Sequence, residues 1–485
     1  MKNRSYFFSY LQCLVFILSL LTDWNEFLVI GLFIIIVIAT LDKLGKGIVL
    51  REIIAVHTVF VCLIAPLWGY RAFTVDNALS RLWVKYMPVP EAQYFGYALP
   101  AIAVFVLFLT WPLQGDNSDT GRRLKRILIL ARSILVRHPR IGLNLIIIGL
   151  ISSVVNNFLP NSLQFVVYLF YVAGFTGFLY LYYAPRSSYR LPGLITFGAF
   201  VMIEAIRGGM FTVVVYMGLT MFSFFFLGRQ MKLWKKTFWL TVGVFALLIL
   251  QLAKPAYRQM TWREEYTGNK GVLLGELFLD QLSSLNFKSS DALFPIYTRT
   301  NQGFNVALVM KRIPQTQEYD YGDRLFLTCI SAFVPRVVWP DKPEAGGKFN
   351  MQYYTGYIIR GWSTNVGPLG EAYGSFGPKI GIVYMLLLGI FIRWAYAYVF
   401  RLSRKASPLL IFWIPVLFYQ ITYSAETDTL QIMNSLIKSA FFIWVLYKLF
   451  PAWFGKSGKQ TTKIKYPPKH IVTRHASPTS FENRI

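Results

Sequence analysis

Charge is scarce in this sequence: 15% of its 485 residues are Asp, Glu, Lys or Arg, against roughly 25% in a soluble domain. Acids are scarcer still, 23 against 49 Lys and Arg. The three cysteines, Cys13, Cys62 and Cys329, are too few for a disulfide framework and fit no zinc spacing. No Walker loop and no usable dinucleotide fingerprint occurs, so ATP and NAD chemistry lack support, and no internal repeat is evident. What abounds is apolar: 55% hydrophobic and 17% aromatic residues, with a mean hydropathy of +0.45. This balance excludes a soluble enzyme and a disordered chain. The aromatic content suits many membrane–water interfaces.

A bilayer core is crossed by about 20 apolar residues of helix. Twelve stretches meet this pattern: 6–22, 27–41, 53–68, 94–113, 141–159, 164–183, 191–205, 210–227, 237–253, 380–400, 408–424 and 433–450. The first lacks a small-residue cleavage site and reads as a retained helix. Placing the N-terminus in the cytoplasm leaves 28 Lys and Arg against five acids on the inner segments. The short outer loops then hold four against six. This is the bias of a multi-pass protein with both termini inside. It also accounts for most of the +26 net charge as topogenic charge facing anionic lipid, not a nucleic-acid groove. The expected fold is therefore an all-α integral membrane protein of about twelve transmembrane helices. Residues 1–253 form a membrane domain of nine spans, 254–379 a large, partly helical periplasmic loop, 380–450 the last three spans, and 451–485 a basic, disordered cytoplasmic tail. Gly121–Arg137, with six basic residues among helically spaced Leu and Ile, reads as an interfacial helix on the inner leaflet.

The long loop is where chemistry is expected. Residues 254–378 hold 11 of the 23 acids beside 13 basic residues and many aromatics. Within the loop, 271–286 reads as an amphipathic helix. Residues 325–338 are apolar but too short to cross, and read as a dip into the membrane broken at Pro335.

Three stretches of this loop carry a family resemblance. They are Arg299-Thr300-Asn301-Gln302-Gly303, then Phe333 to Pro343 with Pro335, Arg336, Trp339, Pro340, Asp341 and Lys342, then Ser363-Thr364 followed by Gly370-Glu371-Ala372-Tyr373-Gly374-Ser375-Phe376-Gly377. In this order, in an outer loop of a twelve-span chain, they resemble the Wzy-type O-antigen polymerases, or oligosaccharide repeat-unit polymerases. The family's Arg beside glycines between two mid-chain spans is similar to Arg207-Gly208-Gly209. The resemblance implies a metal-independent glycosyltransferase without a cofactor, in the bacterial inner membrane. On the periplasmic face it would transfer a growing glycan from undecaprenyl diphosphate to a new lipid-linked repeat unit. Implied partners are the undecaprenyl-diphosphate-linked oligosaccharide, membrane lipid, a flippase and a chain-length regulator, with no nucleic acid. The product would be O-antigen for lipopolysaccharide, capsule or exopolysaccharide.

The residues suit such chemistry. A diphosphate leaves readily when fixed cations hold its growing charge, and Arg does this bidentately. Arg207, Arg299, Arg336 and Arg360 are candidates, each weighed against a loop salt bridge or snorkelling. Asn301, Gln302, Trp339, Asp341, Lys342 and Tyr373 are candidate sugar or phosphate contacts. Glu204, one turn before Arg207, reads as its ion-pair partner. An acceptor hydroxyl must also lose a proton. His138, His470 and His475 are cytoplasmic in this topology and His57 lies in a span, so the loop offers no histidine. The related O-antigen ligases typically use one there, which favours a polymerase. A carboxylate remains, with Glu371 first and Asp341 second. Asp116 and Asp119 lie on the wrong face, and Glu318, Asp320 and Asp323 read as a solvated acidic turn. Two other readings stay open: a polyprenyl-phosphate-sugar glycosyltransferase, with Asp23 and Glu26 in a very short first outer loop, and a flippase or exporter of lipid-linked sugars.

Overall fold

The computed structural model of the protein describes residues 2–456 apart from 157, 185–187, 210, 230, 263–265, 285–289, 335–337, 344–345 and 360–363. The fold is all-α, with no strand among the described residues. Nine helical runs among them are long and apolar enough to cross a membrane. A tenth is added if Gly121–Arg137 and Arg140–Asn156, bent by 84°, count as one. Ser5–Leu21 and Thr212–Phe226 are shorter apolar helices. The twelve apolar stretches of the sequence each overlap helix among the described residues, while three of them, 6–22, 141–159 and 210–227, meet elements too short or too bent to span by length alone. The architecture is that of a multi-pass membrane protein.

One end of the bundle is locked by buried charge. Arg51, 2% exposed, donates to the carbonyls of Leu109 and Trp111 at 2.8 and 2.9 Å and meets Asp119 at 3.1 Å. Lys43 bonds the same carboxylate at 2.6 Å and Glu52 at 2.8 Å. Gly121–Arg137 packs at this basic end, burying Leu124, Ile127, Ala131 and Leu135 on one stripe, as its spacing requires.

The opposite end is occupied by helices of the long segment between Trp262 and Gly367, and here a break in one helix decides the arrangement. The Leu50–Ala72 run is α-helical to Val59, π-helical over Phe60–Ile64, and α-helical again from Ala65. Pro66 has no N–H, so it leaves the Cys62 carbonyl without its helical donor. The π turn sends the Ala65 N–H to Phe60, which frees the Val61 carbonyl as well. Tyr94 Oη donates to Cys62 O at 2.7 Å. The Gln302 N–H donates to Val61 O at 3.0 Å. Val61 is the middle residue of its run, so the Gly303–Arg312 helix that follows Gln302 reaches halfway down the bundle. It is buried from Asn305 to Met310. Gly303 permits the approach, since a Cβ there would collide with Pro66 and the Tyr94 hydroxyl.

Two further spans are irregular. Pro408–Glu426, 89% buried, combines 3-10 turns at Pro408–Trp413 and Ile421–Glu426 around a short α-helix. Non-ideal backbone is tolerated at membrane depth when protein surrounds it. Gly367–Lys405 breaks at Gly377, whose φ of 74° is open to glycine. The Leu233–Trp262 helix continues past 253, carrying Lys254 and Arg258 beyond the ninth apolar stretch.

Asp119→Ala leaves Arg51 buried without its counter-charge, a change that costs about 3–5 kcal/mol. The expected result is a strongly lowered melting temperature in detergent; an unchanged one would show that the carbonyl bonds alone hold Arg51.

Candidate functional site

The Leu50–Ala72, Thr212–Phe226, Pro408–Glu426, Leu233–Trp262 and Ser290–Thr300 elements meet around a cluster of ionisable groups. At its centre is Glu426, whose side chain keeps 35% exposure. Its Oε1 lies 2.9 Å from His57 Nε2, and its Oε2 accepts from Tyr216 Oη at 3.2 Å. The Tyr216 ring stacks on Tyr423 at 4.3 Å, and Tyr423 contacts Tyr419. His57 Nδ1 is buried without a hydrogen bond among the described residues. Of the pair, the carboxylate is thus the member open to a ligand.

Three cations face this carboxylate's neighbourhood. The charges of Arg258, Arg299 and Glu426 all bear on Lys254, and Arg299 bears on Arg258. Arg258 Nε donates to Gly209 O at 2.9 Å, and its guanidinium lies 4.5 Å from the Trp262 ring centroid. Lys254 and Arg299 have neither a hydrogen bond nor an ion pair among the described residues. Burial lowers Arg299 from the usual arginine value, yet it keeps its charge at neutral pH. Cations gathered in excess and without an ion pair in a partly dry place favour an anionic ligand.

The residues singled out from sequence divide sharply. Arg299 belongs to the cation group. Arg207 is exposed, 3.8 Å from Glu204, and does not join it; Arg258 is the link, tied to Gly209 two residues on. Arg336 and Arg360 lie outside the described residues. Asn301 Oδ1 accepts from the Phe304 N–H, and Gln302 Nε2 donates to Asn365 O at 2.7 Å, so both brace the turn before Gly303–Arg312. Lys342 is buried and donates to the carbonyls of Ser331 and Val334. It caps the Asp323–Phe333 helix. Tyr373 is buried, edge-on to Tyr97 at 5.0 Å. Trp339 is half-buried and Asp341 exposed, away from these contacts.

Glu371, the first choice as proton acceptor, is 2% exposed. Oε1 accepts from Asn350 Nδ2 at 2.7 Å, and Oε2 from the Thr429 N–H and Oγ1 at 2.8 and 2.6 Å. The salt bridge weighed against catalysis is absent among the described residues. Asp428 lies beside it, accepting from Gly346 N–H, Asn365 Nδ2 and, as N-cap, from Gln431 N–H. Burial raises the Asp428 carboxyl above the ordinary carboxylate range, although these bonds pull it down. Two acids therefore staple the Gly347–Thr355, Gly367–Lys405 and Thr429–Leu449 helices together.

Sequence reasoning passed over His57, Glu426, Tyr216 and Lys254. His57 and Glu426 are 369 positions apart, and no spacing rule connects them. One available signal was the default that an ionisable residue inside a span is functional; another was Pro66, which marks the helix break. No group of three or more metal-ligating side chains occurs among the described residues.

Residues 133–440 match a protein family described as a domain of unknown function (DUF8712), and the chain belongs to that family. No curated protein and no solved structure matches the chain.

Glu371→Ala leaves the Asn350 amide and the Thr429 N–H buried and unpartnered, at a cost of about 1–3 kcal/mol for each. Thermal unfolding of the purified protein is expected to show a clear loss of stability. A variant as stable as the wild type would remove the stapling role.

Proposed function

We propose that this member of the DUF8712 family polymerises undecaprenyl-diphosphate-linked oligosaccharide repeat units on the periplasmic face of the bacterial inner membrane. In this reading the chain has twelve spans with both termini in the cytoplasm, and the end covered by the long segment faces the periplasm. The resemblance of residues 299–377 to Wzy-type polymerases supplies the substrate class. The observation that carries the reading is the gathering of Lys254, Arg258 and Arg299 near the half-buried Glu426, none of the three in an ion pair among the described residues.

The chemistry follows from that charge. The donor sugar is bound through its anomeric carbon to a diphosphate. As the carbon–oxygen bond breaks, negative charge grows on the departing oxygen. Fixed cations stabilise it more in the transition state than in the ground state, which is the condition for faster chemistry. Half-buried tyrosines, Tyr168, Tyr216 and Tyr423, add aromatic faces and hydroxyls suited to sugar rings.

A second reading, export of the lipid-linked sugar, gains support from one feature. His57 and Glu426 lie inside the bundle, where a transporter carries its charge. The two are separated by product: polymerisation makes new glycosidic bonds, and export moves lipid without them.

Purified protein in liposomes with lipid-linked repeat units should form a polymer ladder without nucleotide. Arg299→Ala and Lys254→Ala should each lower the rate by about 10²-fold or more, the effect of losing one charge-stabilising donor. Lipid movement without a ladder would replace the polymerase by the exporter. Normal ladders from both variants would reject the cation cradle.

A further inference from the structure

We infer that Glu426, held by His57 and Tyr216, takes the proton from the acceptor sugar hydroxyl. This rests on the polymerase reading and assigns the catalytic base within the same site.

The carboxylates of this region differ in what a hydroxyl can reach. Glu371 has three donors on its two oxygens and 2% exposure, so no hydroxyl reaches it in this arrangement. Asp428 is likewise enclosed. Glu426 has one neutral donor on one oxygen, an imidazole nitrogen on the other, and an open side. Each carboxylate oxygen has two acceptor positions. One on each Glu426 oxygen thus remains for a substrate hydroxyl.

Its surroundings fix its direction. His57 approaches from Leu50–Ala72, Tyr216 from Thr212–Phe226, Tyr423 from its own segment, and Lys254 from Leu233–Trp262. Cys62, on the π turn, is a further titratable neighbour among the described residues. The charges of Arg258, Arg299 and Glu426 all bear on Lys254, so the base and the leaving-group cradle share one neighbourhood, and among the described residues no Lys or Arg pairs with the carboxylate.

The step balances. The acceptor hydroxyl oxygen forms a bond to the anomeric carbon of the donor. The bond from that carbon to the diphosphate oxygen breaks, and its electron pair leaves with the diphosphate. The hydroxyl proton passes to Glu426 and then to water. No oxidant, metal or nucleotide enters. Glu426 is the catalytic residue here; His57 and Tyr216 are positioning residues that act through it.

The test uses the full chain in liposomes with lipid-linked repeat units, measuring kcat, KM and melting temperature. Glu426→Gln is expected to lower kcat by about 10²–10⁴-fold, the range of general-base catalysis, with KM and melting temperature kept. Glu426→Asp should recover part of the loss. Tyr216→Phe should lower kcat less, again at unchanged KM. Wild-type kcat in Glu426→Gln overturns the assignment. So does a loss in both Glu426 variants that comes with a lowered melting temperature, which would make the residue structural. Glu371→Gln that loses kcat while keeping KM and stability would move the base to Glu371. A wild-type protein that makes no polymer overturns the polymerase reading itself, and this role with it.

Discussion

A carbonyl without a donor in the apolar interior of a helix bundle is the constraint from which the arrangement grows. An unsatisfied backbone group there costs several kcal/mol, so a partner must be found. Pro66 and the π turn before it expose two such carbonyls in the middle of one helix. Tyr94 satisfies the first from a neighbouring helix. Gln302 satisfies the second from the long segment, and in doing so draws the Gly303–Arg312 helix into the bundle. Arg299 stands one turn before that contact. Its position beside Lys254 and Arg258 is therefore a consequence of where a helix was broken.

The same segment then needs holding. Asn305 donates to Thr364 Oγ1, Gln302 Oε1 and Asn365 O, and Asn365 donates to Asp428. Asp428 and Glu371 fasten the helices that follow. This polar network is buried and satisfied at each of these links, the condition under which such networks fix one structure instead of costing stability. It explains why motif residues of the long segment, Asn301, Gln302, Lys342 and Glu371, are braces. Their polarity is spent on the backbone and on each other.

Against this satisfied network the cation group stands out. Lys254 and Arg299 stand in a half-buried place with no ion pair among the described residues. A protein interior that satisfies Glu371 with three donors had the means to pair them. Leaving them unpaired, next to Glu426, keeps their field available to a ligand. The His57–Glu426–Tyr216 group beneath supplies both orientation and an open oxygen. Two carboxylates a short distance apart along the chain thus differ in their surroundings, Asp428 enclosed by donors and Glu426 keeping an open side.

The sequence by itself determined the helices and their approximate limits. Apolar length and Pro or Gly breaks are local properties, readable residue by residue; Gly121–Arg137 appears with the bounds its spacing predicts, and the described part of the 271–286 stretch lies on the Lys270–Ser284 helix. It also showed Arg299 as a candidate anion contact, because an arginine's charge does not depend on its neighbours. What a polar side chain is for was decided in three dimensions. Burial and hydrogen-bond partners turned Glu371 into a staple, and a contact across 369 positions made Glu426 the accessible acid. The physical reason is that a carboxylate's role depends on which donors and charges surround it, and those come from helices that no sequence spacing places together.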